Sequence, residues 1–144
     1  MYQHILAGVD DSDAARRALR EAIALAKDQQ AHLRLVHVVE MPYPYDGASI
    51  DFEALGEARR GPGQALLDEA ATLVRQEGLE PEIALIGNDG GQVADAIVAE
   101  ARRWPADLLV LGAHDRGLLD KLLVSVAEGV VGASPVPVLL LRAS

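Results

Sequence analysis

Cysteine is absent from all 144 residues, so the chain has no disulfide framework and no thiolate chemistry. Aromatic residues make up only 3% of it, too few for the stacking platforms that hold single-stranded nucleic acid. Positive charge is also short: 13 Lys and Arg face 22 Asp and Glu, for a net charge of −9. That balance argues against non-specific binding to nucleic acid and against anionic membrane surfaces. No apolar run approaches the roughly 20 residues of a membrane helix. Residues 1–6 carry neither a cationic leader nor a long apolar region, so no signal peptide is read and a cytoplasmic domain is expected.

Several catalytic signatures are missing as well. There is no GxxxxGKS/T, and no GxGxxG follows the first apolar run, where Gly8-Val9-Asp10-Asp11 stands instead. The four histidines, His4, His32, His37 and His114, show no metal-ligand spacing. No serine has a histidine and an acid at a recognisable spacing, which removes a hydrolytic triad.

What remains is an aliphatic chain, 50% hydrophobic, of a length suited to one domain covering residues 1–144. Its last third sets the pattern. The apolar run 107–111 stops at Gly112, a loop covers 112–117, a helical stretch covers 118–133, and a second apolar run covers 136–141. Short apolar runs bounded by turn residues read as buried strands of a parallel sheet, and a helix between two of them makes a right-handed βαβ unit. Runs at 5–9, 32–39 and 81–86 supply the other strands. Helical periodicity fills 14–27, 64–76 and the stretch after Gly91, which Trp104-Pro105 stops. Gly78 should close the helix at 64–76. Strands alternating with helices predict an α/β fold: a single doubly wound five-stranded parallel sheet, order 3-2-1-4-5, with helices on both faces.

The segment 40–60 is the least regular. Pro42-Tyr43-Pro44-Tyr45-Asp46-Gly47 opposes helix and strand alike. A short helix over 51–60 is expected to break at Gly61-Pro62-Gly63, with Pro62 opening the next helix.

In the order 3-2-1-4-5 the connections diverge between strands 1 and 4, and ligands bind beyond the carboxyl ends of strands at such a point. The cleft should therefore lie between the loops at 10–13 and 112–117. Asp10, at the tip of strand 1, has two readings: contact with a metal or a ribose hydroxyl, or helix capping. Asp11 and Asp13 read as capping residues, with Ser12 or Asp13 as the cap itself. His37 reads as a hydrogen-bonded core residue and His114 as a solvated loop residue. Asp89 before Gly90-Gly91 reads as a turn and helix cap on an edge strand, away from the cleft.

Four stretches resemble the universal stress protein family: Val9-Asp10-Asp11-Ser12, His37-Val38, Asp107-Leu108-Leu109-Val110-Leu111-Gly112-Ala113-His114, and Ser134-Pro135-Val136-Pro137-Val138-Leu139-Leu140. The resemblance spans the full length and implies the fold above, together with homodimers paired through the last strand. It also implies a nucleotide cleft, formed by Val9, Asp10 and Val38 on one side. Gly112, His114, Asp115, Arg116, Ser125 and Val126 form the other. ATP-binding members carry glycine, two residues, glycine, nine residues, then glycine and serine or threonine. Gly112 matches the first position, whereas Asp115, Ser125 and Val126 occupy the others. Side chains there obstruct backbone approach to phosphate. A misplaced carboxylate can cost several kcal/mol against the about −8 kcal/mol of micromolar binding. Arg116 offsets part of this, and Ser125 can still donate from the helix start. The pattern resembles the branch typified by universal stress protein A, which lacks the ATP motif.

The functional expectation is a non-enzymatic, homodimeric stress-response domain acting through unidentified protein partners, without tight ATP binding, nucleic acid or membrane. An ATP-binding switch with slow hydrolysis or autophosphorylation is the alternative, and AMP or another short nucleotide is a third ligand. The dimer edge would be formed by Val136, Val138 and Leu140. An uncharged apolar edge strand invites such pairing, although Pro135 and Pro137 remove N–H groups near it.

Overall fold

The structure, a computed structural model, describes residues 1–40, 52–88, 91–113 and 121–143, with the side chains of 52–56 and 121–125 outside the description. The elements are β1 (His4–Gly8), α1 (Asp13–Gln29), β2 (His32–Val39), α2 (Phe52–Gln76), β3 (Glu82–Gly87), α3 (Val93–Arg103), β4 (Leu108–Ala113), α4 (Lys121–Ala133) and β5 (Val138–Arg142). The five strands form one sheet in the order β3-β2-β1-β4-β5, and every pairing is parallel. The predicted fold class and strand order are the observed ones.

Strand periodicity decides which helix each residue meets, because successive side chains point to opposite faces. Ile5, Ala7, Leu33, Leu35, Leu108 and Val110 pack on one face with Ala18, Ala22 and Ile23 of α1 and Leu67, Ala71 and Val74 of α2. Leu6, Val36, Leu109 and Leu111 turn the other way, onto Ile97, Val98 and Ala101 of α3 and Val130 of α4. The small alanines let the helices lie close to the sheet. Continuous apolar strand sequences are what two covered faces require.

The helix ends follow local chemistry. Ser12 caps α1, its hydroxyl accepting the Ala15 N–H at 3.1 Å, which settles the choice between Ser12 and Asp13. Gly78 adopts φ +85°, and the N–H groups of Gly78 and Leu79 donate to the carbonyls of Arg75 and Val74. That is the Schellman arrangement expected of a terminal glycine. Trp104 caps the carboxyl end of α3. Asp89 lies outside the described residues; α3 takes Gln92 as its N-cap, with no side-chain cap bond.

Three expectations are corrected. Gly61-Pro62-Gly63 does not break the chain: α2 runs unbroken from Phe52 to Gln76 with Pro62 inside it. The reason is tertiary. Leu67, Ala70, Ala71 and Val74 are buried against the sheet, and Gly63 lets the helix backbone press directly onto His37 and Leu85. Burial outweighs the roughly 3 kcal/mol by which an interior proline disfavours a helix. Second, β4 continues through Gly112 and Ala113, two residues expected in the loop. Third, Val136 precedes β5 rather than belonging to it. The Ser134 hydroxyl accepts from its N–H at 3.1 Å and donates to its carbonyl at 2.7 Å, which takes both backbone groups away from a ladder.

Candidate functional site

The carboxyl ends of β1, β2 and β4 open into a cavity of ≈ 490 Å³, within the size range of small-molecule sites. It crosses the crest of the sheet. Leu66 of α2 walls one side, Val93 and Ile97 of α3 and Val126 of α4 wall the other, and Val38 forms part of the floor. This is the divergence point of the connections, where the strand order predicts the cleft.

Val9, Asp10, Val38, Gly112 and Val126 are brought together here. His114, Asp115 and Arg116 lie outside the described residues, and Ser125 is on α4 with its side chain likewise outside them. Among the described residues no group of three or more His, Asp or Glu side chains is placed to hold a metal ion.

Asp10 does not cap α1, a role Ser12 fills; it holds the turn that leads into the helix. Its Oδ1 accepts the Ser12 N–H at 2.7 Å, bracing the turn into α1. The second carboxylate oxygen has no protein partner among the described residues and belongs to a side chain lining the cavity. Both backbone groups of Val9 are engaged: its N–H donates to the Val36 carbonyl and its carbonyl faces His37 Nδ1 at 2.7 Å. Val9 therefore offers the cavity apolar surface.

Gly112 has a packing reason to be glycine. A Cβ there would lie 2.5 Å from both Ala14 C and Ala15 N, the backbone of the first turn of α1. The crossing of α1 over the end of β4 needs a bare backbone, whether or not a phosphate is ever nearby. Val126 places methyl groups on the cavity wall where the resemblance would have a hydroxyl.

Helix α2 contributes to the cavity in a way its local sequence does not reveal. Pro62, Gly63 and Leu66 face the cavity, as do Ala58 and Arg59. Arg59 Nη1 donates to the Glu40 carbonyl, tying α2 to the end of β2. His37 is hydrogen-bonded, as a core residue should be, but its half-buried ring also lines the cavity. One available signal is its place beside Val38 at the end of a central strand. The other is Gly63, a glycine in a helical stretch, which often marks close backbone approach.

At the far edge of the sheet, Val138 is half-buried and Leu140 is 38% exposed. Among the described residues no helix is long and apolar enough to cross a membrane.

Comparison with known proteins agrees with this fold. The sequence model of the universal stress protein family matches residues 1–142. A universal stress protein of Thermus aquaticus is 36% identical over 143 residues, covering 99% of this chain and 100% of that one. Among solved structures, universal stress protein UspA of Lactobacillus plantarum superposes with a TM-score of 0.82 at 26% identity, covering 98% of each chain. A universal stress protein in complex with cAMP gives 0.74 at 29% identity, covering 99% of each. One from Archaeoglobus fulgidus in complex with dAMP gives 0.72 at 28%, covering 97% of this chain and 98% of that one. The chain belongs to the universal stress protein family.

Proposed function

We propose that this chain is a non-catalytic, homodimeric stress-response domain whose cleft takes an adenine nucleoside monophosphate and does not bind ATP tightly. The observation that carries the reading is the ≈ 490 Å³ cavity at the β1/β4 divergence, lined by Asp10 among other charged residues and by aliphatic side chains of α2, α3 and α4. Val38, Val93 and Ile97 offer apolar surface to a base, and the second carboxylate oxygen of Asp10 can accept from a ribose hydroxyl. The polyphosphate end fits less well. Gly112 is consumed by the α1 crossing, Val126 presents methyls, and Asp115 adds negative charge in sequence. The solved relatives in complex with cAMP and dAMP support a ligand with a single phosphate.

Of the ionisable residues lining the cavity, which include Asp11, Glu40 and Arg59, Asp10 and His37 are the pair proposed to face the ligand. Each is already committed to the backbone, which suits recognition better than proton transfer. Pairing of β5 with its symmetry mate would cover Val138 and Leu140, since a bare edge strand templates association. Two measurements test the proposal. Equilibrium dialysis should show saturable AMP uptake, lost in Asp10→Ala; no uptake by the unaltered protein would remove the ligand. Sedimentation should give a dimer at micromolar concentration, and a monomer would remove the pairing.

A further inference from the structure

We infer that His37 is a ligand-reading residue of the cleft, its Nε2 accepting a hydrogen bond from a donor on the bound nucleoside. The inference rests on the nucleotide reading above and assigns one side chain within it. His37 Nδ1 lies 2.7 Å from the Val9 carbonyl oxygen. That oxygen only accepts, so Nδ1 must carry the hydrogen. In a neutral imidazole the other nitrogen then holds a lone pair. Nε2 has no protein partner among the described residues, yet the half-buried residue leaves no buried side-chain nitrogen unsatisfied. Nε2 is therefore reachable from outside the protein, and His37 lines the cavity.

The ring is also fixed in place. A Cβ on Gly63 would stand 2.7 Å from His37 Cδ2 and 3.1 Å from Nε2, so the bare backbone of α2 covers one side of the imidazole. Val9 anchors the opposite nitrogen. A ring held at two points loses little freedom when a ligand arrives, which favours a directional contact. Asp10 lines the same cavity, so its second carboxylate oxygen and the imidazole lone pair are two acceptors available to one ligand. A ligand answering both must bring at least two donors, as an aminopurine ribonucleoside does through its amine and its hydroxyls.

Long-range proton–nitrogen NMR of the full chain tests this. Without ligand, His37 should show the Nδ1–H tautomer. With saturating AMP its Nε2 resonance should move upfield as the lone pair accepts a hydrogen bond; a core role would leave it still. His37→Phe should weaken AMP about three- to tenfold, the range for losing one neutral hydrogen bond. Titrations with purine riboside monophosphate, lacking the amine, and with dAMP, lacking the 2′-hydroxyl, identify the donor. The analogue that lacks the group donating to Nε2 should bind the unaltered protein and His37→Phe equally well. An Nε2 signal unmoved by saturating AMP overturns the inference and leaves the nucleotide reading standing. Failure of AMP to bind at all overturns both.

Discussion

Gly112 shows how one residue can satisfy two explanations, and how stability separates them. Its position matches the start of a phosphate-binding pattern, yet a side chain there would collide with the α1 backbone at 2.5 Å. Gly112→Ala should therefore destabilise the protein by about 1–3 kcal/mol, the usual effect of overpacking, in denaturant titrations without any nucleotide. Unchanged stability would return the glycine to a purely ligand-facing role. Glu100 makes a comparable case at the opposite end of the sheet. It is 4% exposed and accepts from Arg34 at 2.9 Å and from Arg103 at 2.7 Å. Arg34 also reaches Glu82 at 3.1 Å and lies 5.9 Å from the Trp104 ring centroid, so this cluster joins β2, β3 and α3. Glu100→Gln removes the charge and should lower stability by about 1.5–3 kcal/mol, the range for hydrogen bonds to charged groups. A loss below about half a kcal/mol, inside the range of ordinary surface substitutions, would show that Glu82 alone satisfies Arg34.

Among the elements, those with strong periodicity were legible and those decided by long-range contact were not. The β2 bounds read from sequence match the observed strand, because His32–Val39 is flanked by a helix end and a proline-rich stretch. The divergence point followed from the strand order, so Asp10 and Gly112 could be placed in the cleft without coordinates, and the family resemblance added Val38. The course of α2 could not. Local rules make Gly-Pro-Gly a breaker, and only the burial of Leu67, Ala71 and Val74 together with the Gly63–His37 contact overrides them. Pro62, Gly63 and Leu66, cavity residues not placed from sequence, belong to this same helix. Pro62→Ala restores an N–H to the helix interior and should stabilise the protein by about 1–3 kcal/mol. A decrease would mean that the proline sets a bend the fold depends on. The end of α1 offers a smaller gain. Gln30 is exposed in the left-handed region at φ 55°, a conformation that costs an ordinary residue about 1 kcal/mol or more. Gln30→Gly should raise stability by roughly 0.5–1 kcal/mol after the entropy of glycine is subtracted; no change would mean the left-handed turn is relaxed in solution.

For the whole molecule, the sheet separates two kinds of work. Its amino end is closed by ionic and backbone ties: the Asp107 carboxylate accepts the N–H groups of Gln3 and His4 at 2.8 and 3.0 Å, beside the Glu100 cluster. Its carboxyl end opens into a cavity where Asp10 and His37 are each placed by a hydrogen bond to the backbone. Rigidity at one end and access at the other are what a binding domain on a parallel sheet needs. Paired calorimetric titrations of one preparation, first with AMP and then with Mg-ATP, test the ligand choice most directly. A saturating isotherm is expected for AMP, with ATP at least about tenfold weaker, equivalent to about 1.4 kcal/mol. ATP binding as tightly as AMP, or more tightly, would contradict it.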